Sequence, residues 1–320
     1  MLRFDLRNPV FAGITSSERL QAAVDMAAWA DTRGGIAISV SEHHGSDDGY
    51  LPSPLLFAAA VAARTRNVRI RIDALIASFY DPLRLAEDLA VVDNLSGGRV
   101  DVVLGGGYVP DEFRMFGVPT SEGGRRVEEV VVTLRNAWRG APFEFRGRIV
   151  RVTPAPDRPG GPSLVLGGSS AAAARRAARI ADGYIPSTPE SWEAYRQERL
   201  ALGKSDPGPS LQLPLVTMFL AEDPDSAWEE LLPYFLHETN AYGAWLEAAG
   251  LDGPYPVATE GALRKSGRYR ILTPADYAAE LKAMGRNAVA FFNPMVGGIP
   301  PRRGWDCLRL FEEQVLPRFT

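Results

Sequence analysis

The sequence predicts one (β/α)8 TIM barrel of the α/β class, a single domain over residues 1–320, and three observations carry that expectation. The 46% hydrophobic content of 320 residues suffices for a large core, and an α/β barrel is among the few architectures that use this length as one domain. Short β-branched or apolar runs alternate with longer amphipathic stretches, which is the rhythm of repeated βα units and a parallel sheet. The strand-like runs number eight, the count a closed barrel requires.

In order, the predicted strands are Arg3–Leu6, Gly35–Val40, Val68–Ile76, Val100–Leu104, Ser163–Leu166, Gly183–Ile185, Leu215–Leu220 and Ala288–Phe292. The helices between them carry stop and start signals. Ser53-Pro54 opens an alanine-rich helix over Leu55–Arg64. Asp81 suits an N-cap and Pro82 the first helical turn of a run whose Leu85, Leu89 and Val92 share a face. Ser96-Gly97-Gly98 ends that run, because glycine accepts the left-handed conformation that closes a helix. Ser170 can cap Ala171–Ala181, and Pro189-Glu190 begins a helix through Leu202. Two segments break the rhythm, Ala141–Pro162 and roughly Leu236–Tyr269. Both read as excursions in the βα loops, and the second, rich in aromatic residues, reads as a substrate-selecting loop or as a passive insertion.

Composition narrows the function. A net charge of −4 without a basic block argues against nucleic acid and a polybasic membrane anchor, so a small organic molecule is the expected partner. The lone Cys307 can form no internal disulfide, and the N-terminus lacks a signal-peptide pattern, which together predict a cytoplasmic protein. No apolar run approaches the roughly 20 residues that span a bilayer.

In the second strand, alternation places Ile36, Ile38 and Val40 on one face and Ala37, Ser39, Ser41 and His43 on the other. The small, polar face points into the barrel, so His43 emerges at the C-terminal rim, where such barrels keep their active sites. Periodicity alone leaves open a hydrogen-bonded structural role. A metal site needs several converging ligands, and with so few histidines none is expected. Gly105-Gly106-Gly107 follows strand four, and Gly167-Gly168-Ser169-Ser170 follows strand five. Bare backbone admits a flat ring, and serine hydroxyls at a helix N-terminus favour a phosphate; an ordinary strand-to-helix turn fits the second cluster equally well. Asp73 interrupts an apolar strand, which implies either a functional acid or pairing with Arg71 or Arg99.

Several stretches together resemble the bacterial-luciferase-like monooxygenases. They are Glu42-His43-His44, Pro52-Ser53-Pro54, Ala62–Thr65, Asp81–Asp88, Asp93–Arg99 and Asp111–Gly117, followed by Gly167–Ser170 and Ala177–Gly183. The similarity covers about residues 1 to 220. It implies a barrel that binds reduced FMN, or coenzyme F420 in a sister branch, and that usually forms a homodimer. A separate flavin reductase supplies the reduced flavin, which meets dioxygen while the histidine at position 43 handles protons. Asp73 joins His43 as a catalytic candidate, and Asp73-Ala74 falls where the family often has a non-prolyl cis peptide against the flavin ring. Glu42, Ala74, Gly105, Gly106 and Gly107 are then expected at the ring, and Gly168, Ser169 and Ser170 at the phosphate. Gly106 stands where the luciferases place an arginine near that phosphate, which leaves Arg175 or Arg176 as substitutes or points to another flavin.

The expected activity is therefore a two-component monooxygenase acting on a small organic substrate. The alternatives are F420-dependent hydride transfer and, in another class, a non-catalytic flavin-binding protein. The dimer interface is expected on Phe57–Ala63 and the helix from Pro82 to Leu95.

Overall fold

The computed structural model describes residues 1–210, 216–253, 255 and 258–319. Its strands are β1 (Leu2–Phe4), β2 (Ala37–Val40), β3 (Arg69–Ile76), β4 (Val100–Gly105), β5 (Phe143–Phe145), β6 (Arg148–Val150), β7 (Leu164–Gly168), β8 (Gly183–Pro186), β9 (Thr217–Leu220) and β10 (Tyr269–Leu272). Its α-helices are α1 (Ser16–Asp31), α2 (Pro54–Arg64), α3 (Pro82–Ser96), α4 (Pro110–Phe116), α5 (Gly123–Ala137), α6 (Ala171–Ile180), α7 (Pro189–Ala201), α8 (Pro224–Ala248), α9 (Glu260–Ser266), α10 (Pro274–Met284) and α11 (Pro301–Leu310).

The chain divides into two compact units, Met1–Val40 with His44–Pro52 and Pro214–Thr320, and Ser41–His43 with Ser53–Leu213. In the first, β1 pairs with β2 and β9 with β10, both in parallel. In the second, β3, β4, β7 and β8 form a parallel sheet in that order, with the antiparallel hairpin β5–β6 beside it. Ile70, Ile72, Leu75, Val100, Val102, Leu104, Leu164 and Leu166 are buried along that sheet.

The punctuation acts where expected. Asp81 accepts hydrogen bonds from the Leu83 and Arg84 N–H groups, and Gly97 closes α3 at φ +64°. Ser170 caps α6 through the Ala173 N–H. Arg99, just past that glycine stop, donates to Thr65 Oγ1 and the Val68 carbonyl, tying the end of α2 to the strand pair β3–β4.

Four expectations are corrected. The segment Ala288–Phe292 forms only an isolated parallel bridge between Leu2 and Phe292, whereas Tyr269–Leu272, at the end of the second excursion and just past it, forms a strand that the sequence does not predict. Leu236–Tyr269 does not begin as a loop, because α8 runs on to Ala248 with Pro233 inside it. Leu231, Phe235, Thr239 and Tyr242 repeat at helical spacing and are buried, and that stripe outweighs the carbonyl bond lost at proline. Within Ala141–Pro162 the structure contains β5 and β6. In β2's approach, Ile36 is 53% exposed rather than packed with Ile38 and Val40. The predicted strand start at Leu215 lies outside the described residues.

Candidate active site

The second unit gathers the candidate residues at the C-terminal ends of its strands. Ser41 donates to the Asp73 carbonyl at 2.6 Å, which joins the turn after β2 to β3. The buried Glu42 carboxylate accepts from the Ile76 N–H at 2.7 Å and the Tyr80 hydroxyl at 2.9 Å. Glu42 thus fixes the backbone on which the next residue, His43, is mounted. Burial, followed by the nearby Glu42 charge, pushes the Tyr80 phenol well above its usual range, so it stays a donor.

His43 is 6% exposed, and its Nδ1 lies 2.8 Å from Oε1 of Glu112, which is 1% exposed. Glu112 stands in the first turn of α4, where a carboxylate is also favoured by the helix dipole. Tyr108 meets the His43 ring edge-on at 5.9 Å between centroids. Glu112 is the partner that sequence reasoning does not pick out, since its contact with His43 spans 69 residues. The only signal is its place in the stretch Asp111–Gly117.

Beside this pair the backbone is stripped of side chains. Ala74 and Gly105 to Gly107 are all half-buried, with accessible surface. A Cβ on Gly105 would lie 3.3 Å from that of Ala74, and one on Gly107, at φ +76°, would lie 2.9 Å from Ile76 Cγ2. The ends of β3 and β4 therefore make a shelf that larger residues would fill, of the kind a flat ring needs. The Asp73–Ala74 peptide bond is cis, the geometry the resemblance implies there. The Asp73 carboxylate pairs with Arg71 at 3.0 Å, the structural partnership the sequence allowed for.

At the end of β7, Gly168 leads into Ser169 and Ser170, both exposed, and into the open first turn of α6. That turn contains no acidic residue, so its free N–H groups suit a phosphate. Arg175 is exposed; Arg176 pairs through Nε with Glu128 at 2.9 Å and packs against Gly124, where a Cβ would lie only 2.2 Å from its Nη2. Bare shelf, buried imidazole and open helix end together fit a flavin mononucleotide in the chemistry of their groups. Among the described residues, no group of three or more His, Cys, Asp or Glu is placed to hold a metal ion.

The sequence pattern of the luciferase-like monooxygenases matches residues 6–290. The chain belongs to that family. Among relatives of this luciferase-like chain is the oxygenase component of a flavin-dependent trigonelline monooxygenase from Acinetobacter baylyi. It is 29% identical over 135 residues, which cover 42% of this chain and 37% of the relative. The chain thus aligns with well under half the length of that curated relative. The oxygenating constituent of 3,6-diketocamphane monooxygenase from Pseudomonas putida, solved in complex with FMN, superposes with a TM-score of 0.68 at 18% identity, covering 100% of this chain and 98% of that one. An F420-dependent secondary alcohol dehydrogenase, in complex with an F420-acetone adduct, superposes with a TM-score of 0.65 at 16% identity, covering 97% and 98%. These likenesses show the fold, the luciferase-like TIM barrel.

Proposed function

We propose that this luciferase-like protein is the oxygenating component of a two-component monooxygenase that uses reduced FMN and dioxygen on a small organic substrate. The observation that carries the reading is the buried His43–Glu112 pair next to the glycine shelf of β4. When bound, reduced FMN would supply two electrons, so that with two protons one atom of dioxygen leaves as water and the other enters the substrate. His43 is the group to hold and deliver a proton at that shelf. Glu112, on Nδ1, fixes the ring's orientation. Gly105, Gly106, Gly107 and Ala74 would let the ring approach the backbone, and Gly168, Ser169 and Ser170 would hold the phosphate. Glu42 orients His43 rather than touching the reacting atoms, and Asp73, already paired with Arg71, supports the shelf's edge.

A flavin reductase is the implied transient partner, as the wording "oxygenase component" for the trigonelline relative suggests. A cytoplasmic homodimer in which the chain forms one domain completes the reading. The exposed Leu56 on α2 with Val91 and Leu95 on α3 favours an interface there, although the alanines Ala58 and Ala62 are buried within the unit. Light scattering at micromolar concentration should give twice the mass of the chain.

The test of function is an anaerobic titration with reduced FMN, oxidised FMN and reduced F420, followed by admission of air. Tighter binding of reduced than of oxidised FMN, with rapid reoxidation of the bound flavin in air, is expected. Preference for reduced F420 and indifference to air would replace this reading with hydride transfer.

A further inference from the structure

Ser78, in the short 3-10 turn Ala77–Phe79 that follows β3, is fully buried. Its Oγ donates to the Gly106 carbonyl at 2.7 Å, with the Gly123 carbonyl further off at 3.3 Å. Ser78 is itself held from behind, since its carbonyl accepts from Arg126 Nη1 at 3.3 Å and Arg126 Nε donates to Glu122 at 3.2 Å. A buried hydroxyl places its single proton on an acceptor, and the nearer acceptor here is a peptide in the middle of the glycine shelf. Neither Gly106 nor Gly107 has a side chain to fix that peptide by packing, so the Ser78 bond sets which way it faces.

The direction matters because a trans peptide is planar, with its C=O and N–H pointing opposite ways. The Gly106-Gly107 bond is trans. With the Gly106 carbonyl turned toward Ser78 and the start of α5, the Gly107 N–H is turned away from both. The Gly107 nitrogen lies 4.0 Å from the point where a Cβ on Gly105 would stand, and that same point is 3.3 Å from Ala74 Cβ. The nitrogen therefore borders the bare space between Ala74 and Gly105 that forms the shelf. Gly107 retains accessible surface, and among the described residues no backbone or side-chain group accepts from its N–H. A backbone donor left open on a binding surface is completed by an acceptor on whatever lies there.

We infer that Ser78 is a positioning residue: through the Gly106 carbonyl it turns the Gly107 N–H onto the shelf, as a hydrogen-bond donor to a carbonyl oxygen of the flavin ring. The inference rests on the flavin reading above. Two-electron reduction places added negative charge on the ring's carbonyl oxygens, and a fixed donor aimed there favours the reduced over the oxidised form. Ser78 thereby contributes to the preference for reduced flavin that an oxygenating component fed by a separate reductase needs.

Anaerobic titrations of the unaltered protein and of Ser78→Ala, each with reduced and with oxidised FMN, test it. Ser78→Ala should lower the ratio of reduced to oxidised affinity roughly tenfold, the scale of one hydrogen bond to a charged group. That change corresponds to a fall of about 30 mV in the potential of the bound two-electron couple. Ser78→Thr, which keeps the hydroxyl, should retain most of the unaltered ratio. A merely structural role would weaken both forms alike and leave the ratio and the potential where they were. That result, or an unchanged ratio in a Ser78→Ala protein of native circular dichroism, overturns the proposal. If Ser78→Ala does not fold, amide exchange at Gly107 in the unaltered protein decides. Slower exchange with reduced than with oxidised FMN bound is expected, and equal exchange contradicts the proposal. Failure of the unaltered protein to bind either form overturns the flavin reading itself, and this inference with it.

Discussion

His43 Nδ1 and Glu112 Oε1 sit 2.8 Å apart with both side chains buried, so the ring is held by a carboxylate from a helix far away in the chain. A carboxylate on one imidazole nitrogen selects the tautomer and fixes the ring's orientation. Glu112→Gln keeps the shape and loses the charge. We expect turnover of the bound reduced FMN to fall by roughly 10- to 100-fold with little change in its affinity, as measured by anaerobic titration and single-turnover kinetics. Equal losses of affinity and rate would assign Glu112 to binding alone.

The glycine shelf separates two neighbouring substitutions. Gly107→Ala places a Cβ at φ +76° and 2.9 Å from Ile76 Cγ2, which should cost about 1–3 kcal/mol of stability and weaken FMN binding. Gly106→Ala meets nothing nearer than Val127 Cγ2 at 3.8 Å and should cost less than about 1 kcal/mol. Urea unfolding of the two variants checks the contrast.

Asp48 makes the first unit sensitive to acid. Burial alone would raise its carboxyl, but hydrogen bonding from His237 and the charge of Arg7 prevail and hold it far below the carboxylate range. The unfolded chain, with an aspartate pKa of about 3.9, takes up the proton first as pH falls. This contribution to stability is therefore fully present above about pH 4 and is lost progressively below it. Asp48→Asn should be less stable at pH 7 and should show a shallower loss of urea midpoint between about pH 4 and pH 2.

Cys307, the one cysteine in the chain, is buried, accepts the Leu220 N–H at 3.2 Å, and has its thiol pushed up to about 12 by burial. A thiol reagent at pH 8 should leave the native protein unlabelled and react in step with unfolding in urea. Fast labelling of the native protein would contradict the packing of α11 against β9.

Local chemistry was legible and long-range contacts were not. Asp81, Pro82 and Gly97 mark the ends of α3 because a cap is decided within a few residues. His43 could be placed by alternation, whereas Glu112 reaches it only through the fold. The sequence undervalued α8, since Pro233 and Gly243 suggest a break and the buried face that keeps the helix intact is a property of packing. Asp93, buried within α3 and paired with Arg158 at 2.9 Å, gives a structural reason for an acid in the stretch Asp93–Arg99.

The central claim is that His43 moves protons beside a reduced flavin held by the rest of the site. The direct test compares His43→Ala with the unaltered protein, measuring the anaerobic affinity for reduced FMN and then the yield of oxygenated product in a single turnover in air. The account predicts unchanged affinity and a rate lower by about 10²-fold or more. Undiminished turnover in the variant, or loss of flavin binding itself, would contradict it.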